Sequence, residues 1–272
     1  MEMKGKVALV LGAVKGIGKA LGLALAEQGV SLVLTRNDWA DSFEAMAQDF
    51  QASGADHMIK DVDLLDQAQI ADLALAIDER YGRLDILVNN IERGGWPVVH
   101  GTYVQEQWDL EMATTLRAKR WVFDAMFPLL KRSREGVVVN FSSIAGVVGR
   151  TGAAALVFND GYAAANRGVS LLTETWARMG APHVRVNEIM LGIFETRHAQ
   201  GTRGWEEVLT DEEKQAIIDH TLVGRTGQLA DVVKALLFVV RDAPYMTGTV
   251  IRLDGGFLLG GTDVPPMPKG VV

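Results

Sequence analysis

The chain contains no cysteine, which excludes disulfides, thiolate metal sites and a thiol nucleophile. No apolar run reaches the ~20 residues of a membrane-spanning helix. Positive charge is in deficit. With 27 Lys and Arg against 34 Asp and Glu, the net charge of −7 argues against a nucleic-acid partner, which usually calls for a basic surface. The histidines His57, His100, His183, His198 and His220 are scattered, with no H-E-x-x-H or related spacing, so no metal site is expected. The opening stretch MEMKGKVALVLG is too short and too interrupted by glycine for a signal peptide; it reads as a strand entering a turn. The expectation is a cytoplasmic protein with a small-molecule substrate, no nucleic acid and no membrane.

What is present is a regular alternation. Short apolar runs at 7–12, 31–35, 57–62, 84–90, 136–143, 184–189 and 249–255 are rich in Val, Ile and Leu. Several are apolar at successive positions, as strands buried on both faces must be. Between them lie amphipathic stretches, including 18–29, 66–82 and 230–242. This alternation implies βαβ units, and so an α/β fold: a Rossmann-like, doubly wound parallel sheet with helices on both faces. No linker or repeat interrupts it, so residues 1–257 are expected to form one domain. Residues 258–272, which include three prolines and no helical pattern, are expected to form an extended tail available to a neighbouring subunit.

The first strand runs into Gly12-x-x-x-Gly16-Ile17-Gly18 and then a helix. Glycines at a first βα turn let the chain turn sharply and let the backbone approach a pyrophosphate, while the helix N-terminus faces the negative charge. The end of the second strand discriminates between dinucleotides. An acidic residue there suits the ribose hydroxyls of NAD, and an arginine suits the 2′-phosphate of NADP. Here the residues are Thr35-Arg36-Asn37, with Lys15 in the glycine turn as a second cation. NADP(H) is therefore favoured over NAD(H), although Asp38 would repel a phosphate.

The chain resembles the short-chain dehydrogenase/reductase family over about residues 4–257. The resemblance is carried by GAVKGIG (12–18), KDVD (60–63), NN (89–90), VVVNFSSIAG (137–146), Tyr162, VNEIMLGIFET (186–196), GRTGQLADV (224–232) and MTGTVIRLDGG (246–256). It implies that Asp61 and Val62 contact the adenine and that Asn89 lines the cofactor. It implies that Ile193 and Thr196 hold the nicotinamide carboxamide, that Ser143 polarises a carbonyl oxygen, and that Tyr162 exchanges its proton. It also implies a homodimer or homotetramer.

Five departures from the family pattern stand out. The family's lysine, four residues after the tyrosine, is Asn166. Its helical asparagine aligns with Thr115, and its NNAG reads Asn89-Asn90-Ile91-Glu92. The segment between Ser143 and Tyr162 is several residues longer, and the Pro-Gly after the sixth strand is Leu191-Gly192. A phenol titrates near about 10, and an ammonium beside it favours the phenolate. In this family the lysine also binds the nicotinamide ribose. Asparagine retains hydrogen bonding without charge, so ribose binding is the role expected to survive at Asn166. Tyr162 can still donate a proton, so reduction should suffer less than oxidation; equal rates in both directions near neutral pH would count against this. Lys119, one turn beyond Thr115, and Arg167 are the cations that either substitute for the lysine or serve as structural and exposed residues.

Further substrate candidates are Glu92, as a binding or acid–base group or a surface partner of Arg93, and Arg150, Phe158 and Asp160 in the lengthened segment. Trp205, in a stretch resembling the family's substrate lid, either closes on a flat substrate or packs. The function expected is an NADP(H)-dependent oxidoreductase reducing a carbonyl or activated double bond, with Thr115, Ser143, Tyr162 and Asn166 as an atypical active site. The alternatives are a catalytically impaired NADP-binding partner subunit and a non-redox elimination enzyme on the same fold.

Overall fold

A computed structural model describes residues 1–91, 103–196, 205 and 209–270. Seven parallel strands form one sheet in the order β3-β2-β1-β4-β5-β6-β7. They are β1 (Val7–Val10), β2 (Ser31–Arg36), β3 (His57–Asp61), β4 (Ile86–Asn89), β5 (Gly136–Ser143), β6 (Val184–Leu191) and β7 (Val250–Leu253). The helices that position the site are α1 (Gly16–Glu27), α2 (Phe43–Ala52), α3 (Gln67–Tyr81), α4 (Gln105–Glu111), α5 (Ala118–Ser133), α6 (Ala145–Val148), α7 (Asp160–Gly180), α8 (Asp211–His220) and α9 (Leu229–Leu237).

The continuous apolar runs become strands covered on both faces. Every residue of β1, β4 and β5 is buried, whereas the edge strands β3 and β7 are partly exposed. On one face Leu21 and Leu25 of α1, Met46 and Phe50 of α2, and Val232 and Leu236 of α9 pack on Val10, Leu32, Leu34, Val88 and Val139. On the other face Ile70 and Leu73 of α3, Val122, Phe123 and Met126 of α5, and Trp176 of α7 pack on Leu9, Val33, Leu87, Val138 and Val186. Phe123 and Trp176 stack with centroids 4.2 Å apart, which ties α5 to α7. Strand order reverses between β1 and β4, so a crevice opens beyond their C-terminal ends. In such sheets that switch point is where ligands bind.

Several ends differ from the sequence reading, each for a local reason. β1 stops at Val10 rather than at Gly12, whose φ of +67° already belongs to the turn. α3 lies one residue inside each end of the stretch 66–82: the Asp66 side chain accepts from Ala68 N–H at the start, and Gly82 ends it at φ +70°. α9 stops at Leu237 and gives way to a π turn over Phe238–Asp242. The guanidinium of Arg185 gathers the carbonyls of Val239, Val240, Ala243 and Met246 at 3.0–3.2 Å. A second π turn, Met112–Arg117, separates α4 from α5 and contains Thr115; such turns recur at functional sites. Beyond a short 3₁₀ turn at Phe257–Leu259, residues 261–270 are exposed throughout, and 262–268 carry no regular structure.

Candidate active site

The glycine turn lies at the crevice, between β1 and α1. A Cβ on Gly18 would overlap the carbonyl oxygen of Gly12, and a Cβ on Gly12 would lie 2.6 Å from the Asn90 carbonyl oxygen. Gly16, at φ +57°, has nothing within 4 Å of a Cβ, so its face of the turn is open. Ile17 begins α1 beside it. Two polar side chains brace the turn. Gly12 N–H donates to Thr35 Oγ1 at 3.3 Å, and Asn90 Nδ2 donates to the Leu11 carbonyl at 3.5 Å. Neither contact was read from the sequence; both need the register of β2 and β4 against β1.

Lys15 and Arg36 each rest on an aromatic ring. Lys15 Nζ lies 4.1 Å from the centre of the Trp39 ring, and Arg36 Cζ lies 4.5 Å from that of Phe43. Arg36 also forms a two-pronged ion pair with Asp61, at 2.6 and 3.2 Å. The pairing lowers the Asp61 pKa, through the hydrogen bond first, and raises that of Arg36. Arg36 and Asp61, expected to serve the phosphate and the adenine separately, are thus joined across the ends of β2 and β3. Val62 is buried behind them, its N–H donating to the Arg36 carbonyl at 3.1 Å. Asn89, also buried, donates through Nδ2 to Asn140 Oδ1 at 3.2 Å. Ile193 and Thr196 follow β6, and Thr196 N–H donates to the Phe194 carbonyl at 2.8 Å.

Ser143 ends β5, and Tyr162 lies in the first turn of α7; both are buried. Asn166 joins them. Its Oδ1 accepts from Ser143 N–H at 2.9 Å, and its Nδ2 donates to the Tyr162 carbonyl at 3.0 Å. The amide expected to face a ribose is therefore used inside the protein, as a clasp between β5 and α7. Ser143 Oγ accepts from Ala145 N–H at 3.2 Å, which leaves its own proton available for a ligand oxygen.

A second set of contacts fixes the start of α7, and the sequence reading missed it. Asn159 Oδ1 accepts from Tyr162 N–H at 2.9 Å, and Asn159 Nδ2 donates to Glu111 Oε1 at 2.5 Å. Tyr103 Oη donates to Glu111 Oε2 at 2.7 Å and accepts from Gly161 N–H at 3.0 Å. Burial raises the Glu111 pKa, and the bonds from Tyr103 and Asn159 oppose that rise. A Cβ on Gly161 would overlap the Tyr103 hydroxyl, so the glycine before the tyrosine permits this close approach.

Tyr162 sits in an apolar cluster at the sheet's C-terminal edge with Ile144, Phe158, Met190, Leu209 and Phe257, and Ile193 and Trp205 pack against it. The Phe158 and Tyr162 rings are 5.9 Å apart. Arg150 pairs at the surface with Asp160 at 3.0 Å, away from this cluster's interior. Glu92 lies outside the described residues. Thr115 is buried, and its Oγ1 has no hydrogen-bond partner among the described residues. Arg167 is exposed. Lys119 is fully buried, its ammonium donating to the Ile91 carbonyl.

Residues 6–207 match the family model for short chain dehydrogenases. This chain belongs to the short-chain dehydrogenase family. Members of this oxidoreductase family use a nicotinamide cofactor. Over 275 residues this short-chain dehydrogenase is 30% identical to the 3-oxoacyl-[acyl-carrier-protein] reductase FabG of Thermotoga maritima, covering 95% of this chain and 100% of the relative. It is 29% identical to the 1,6-dihydroxycyclohexa-2,4-diene-1-carboxylate dehydrogenase of Acinetobacter baylyi, covering 92% and 95%. Among solved structures, the Pseudomonas aeruginosa RhlG/NADP active-site complex superposes with a TM-score of 0.79 at 27% identity, covering 93% of this chain and 96% of that one. Among the described residues no helix of this chain is long and apolar enough to cross a membrane.

Proposed function

We propose that this dehydrogenase reduces a carbonyl, or a double bond activated by one, in a small apolar molecule, with NADPH favoured over NADH. The observation that carries the reading is the Asn166 clasp, which holds Ser143 and Tyr162 together at the edge of an apolar cluster beside the glycine turn. The turn fits a dinucleotide: Gly12 and Gly18 are closely packed from behind, and Gly16 is open in front. Lys15 and Arg36 are the phosphate-binding pair, and the relative solved with NADP at its active site is consistent with that preference. When bound, the reduced nicotinamide supplies the hydride.

The chain's own residues do the rest. Ser143 Oγ donates to the substrate oxygen and stabilises charge that develops there. Tyr162 delivers its proton to that oxygen. Phe158, Leu209 and Trp205 exclude water and favour an apolar or flat substrate. Asn166 gives Tyr162 no cation, so proton donation is favoured over the reverse step, in which a phenolate must act as base. Self-association into a homodimer or homotetramer, with the exposed tail as one contact, belongs to the same reading.

The test is consumption of NADPH with a panel of apolar ketones and enones, compared with NADH. Turnover with NADPH that disappears in Tyr162→Phe is the expected result. Absence of turnover, with intact NADPH binding, would favour the impaired partner subunit; Asn166→Lys would then be expected to raise activity.

A further inference from the structure

The sheet carries an unusual buried row. Register places Asn89 of β4 opposite Asn140 of β5, and Asn140 opposite Glu188 of β6. These side chains share one face, because in-register residues of parallel strands point the same way. It is the face that α5 and α7 cover. Asn140 Nδ2 donates to Thr173 Oγ1 of α7 at 2.9 Å. Glu188 Oε1 accepts from Ser170 Oγ of α7 at 3.0 Å and also from Ser142 Oγ. From α5 comes Lys119, wholly buried.

A buried ammonium is costly unless charge and hydrogen bonds compensate it. Glu188 is a buried carboxylate of the same row. Burial raises the Glu188 pKa, the serine hydrogen bonds oppose that rise, and the Lys119 charge opposes it further. Lys119 is placed where a charge has consequences. Lys119 donates to the carbonyl of Ile91, two residues beyond the end of β4. The residue between them, Asn90, touches the glycine turn through its carbonyl and its side chain. The ammonium therefore lies beneath the crevice at the β1/β4 switch point, where an anionic dinucleotide would bind and where low dielectric strengthens its field.

The neighbouring helix supplies no such charge at this level. Leu116 of the π turn packs against Gly168 of α7, with a Cβ on Gly168 2.9 Å from its methyl carbons. This contact sets the π turn that holds Thr115 against the helix that holds Asn166. Asn166 is neutral and already clasps Ser143 to Tyr162. Three atoms of this layer, Asn89 Oδ1, Thr115 Oγ1 and Glu188 Oε2, are buried without a hydrogen-bond partner among the described residues.

We propose that Lys119 is the buried cation of the dinucleotide crevice, supplying from α5 the positive charge that Asn166 does not supply from α7. Lys119 is a positioning and charge-supplying residue. It reaches the crevice through the Ile91 carbonyl and leaves Tyr162 to act as a proton donor. The inference rests on the reading of this chain as a dinucleotide-dependent reductase.

The experiment compares wild type, Lys119→Met, Asn166→Lys and the double variant. Calorimetric titration with NADPH is expected to show affinity about tenfold or more weaker in Lys119→Met. Affinity should recover to within about threefold of wild type in the double variant. Urea unfolding without cofactor is expected to show Asn166→Lys better tolerated in the Lys119→Met background than in wild type, because two ammoniums would then no longer share one layer. If Lys119→Met does not fold, the variant carrying both Lys119→Met and Glu188→Gln, neutral and similar in shape, replaces it in the binding comparison with the same expected loss. NADPH affinity equal to wild type in the folded variants would overturn the proposal. So would additive stability effects with no recovery of binding. Wild type that binds neither NADPH nor NADH would sink the reductase reading instead; the unfolding cycle would still decide whether positions 119 and 166 share a charge site.

Discussion

Two buried carboxylates mark the two edges of the sheet, and they are treated differently. Asp85, just before β4 at the N-terminal edge, is saturated. It accepts from Val7 N–H at 2.8 Å, from Arg83 Nε at 3.1 and 3.3 Å, and from Ser133 Oγ at 2.5 Å. Glu188, towards the C-terminal edge, has hydroxyl partners on one oxygen and no hydrogen-bond partner among the described residues on the other. The saturated carboxylate fastens strand ends and α5 together. The other lies in the buried polar row with Asn140 and Asn89. Polar burial at the first edge ties the fold together, and at the second it is proposed to serve the site.

That contrast can be broken by substitution. The largest effect is expected at the C-terminal edge: Tyr162→Phe should lower turnover by about 10²–10⁴-fold with NADPH affinity unchanged, read by steady-state NADPH consumption and calorimetry. Asp85→Ala should do the reverse. It orphans Val7 N–H and Ser133, and is expected to lower stability by about 2–4 kcal/mol in urea unfolding, with no change in cofactor affinity. A loss of NADPH affinity in Asp85→Ala would erase the distinction between the edges. Arg36→Leu should weaken NADPH binding by about tenfold or more and leave NADH binding nearly unchanged, since only one cofactor carries the 2′-phosphate.

The smallest effect is a pH dependence. Glu111 holds its proton to higher pH in the folded chain than its ordinary value of 4.5, because it is buried. Such a group favours the folded state less as pH rises from that value through the raised one. Glu111→Gln removes the penalty. The stability of the variant relative to wild type should therefore grow as pH climbs through this window and then level off, in urea unfolding across a pH series. A constant difference would show that Glu111 carries no shifted proton.

The sheet was legible because its strands are short continuous apolar runs separated by amphipathic stretches. The amphipathic stretches located the helices but did not resolve their ends: Asp66 and Gly82 cap α3 from outside it, and the stretch 230–242 divides into α9 and a π turn. The glycine turn, Ser143, Tyr162 and Asn166 were visible as motifs. The clasp role of Asn166 was not, because its partners come from β5 and from its own helix. Glu111 and Glu188 gave no signal, since a single carboxylate in a sequence reads like any solvated charge. Only strand register aligns Glu188 with Asn140 and Asn89. Lys119 was noticed for its spacing from Thr115, but its burial depends on how α5 packs on the sheet.

The most direct test of the account is calorimetric titration of cofactor-stripped wild-type protein with NADPH and with NADH at one fixed salt concentration. The account expects NADPH to bind about tenfold or more tightly than NADH, through Lys15 and Arg36. Binding of neither dinucleotide would contradict it.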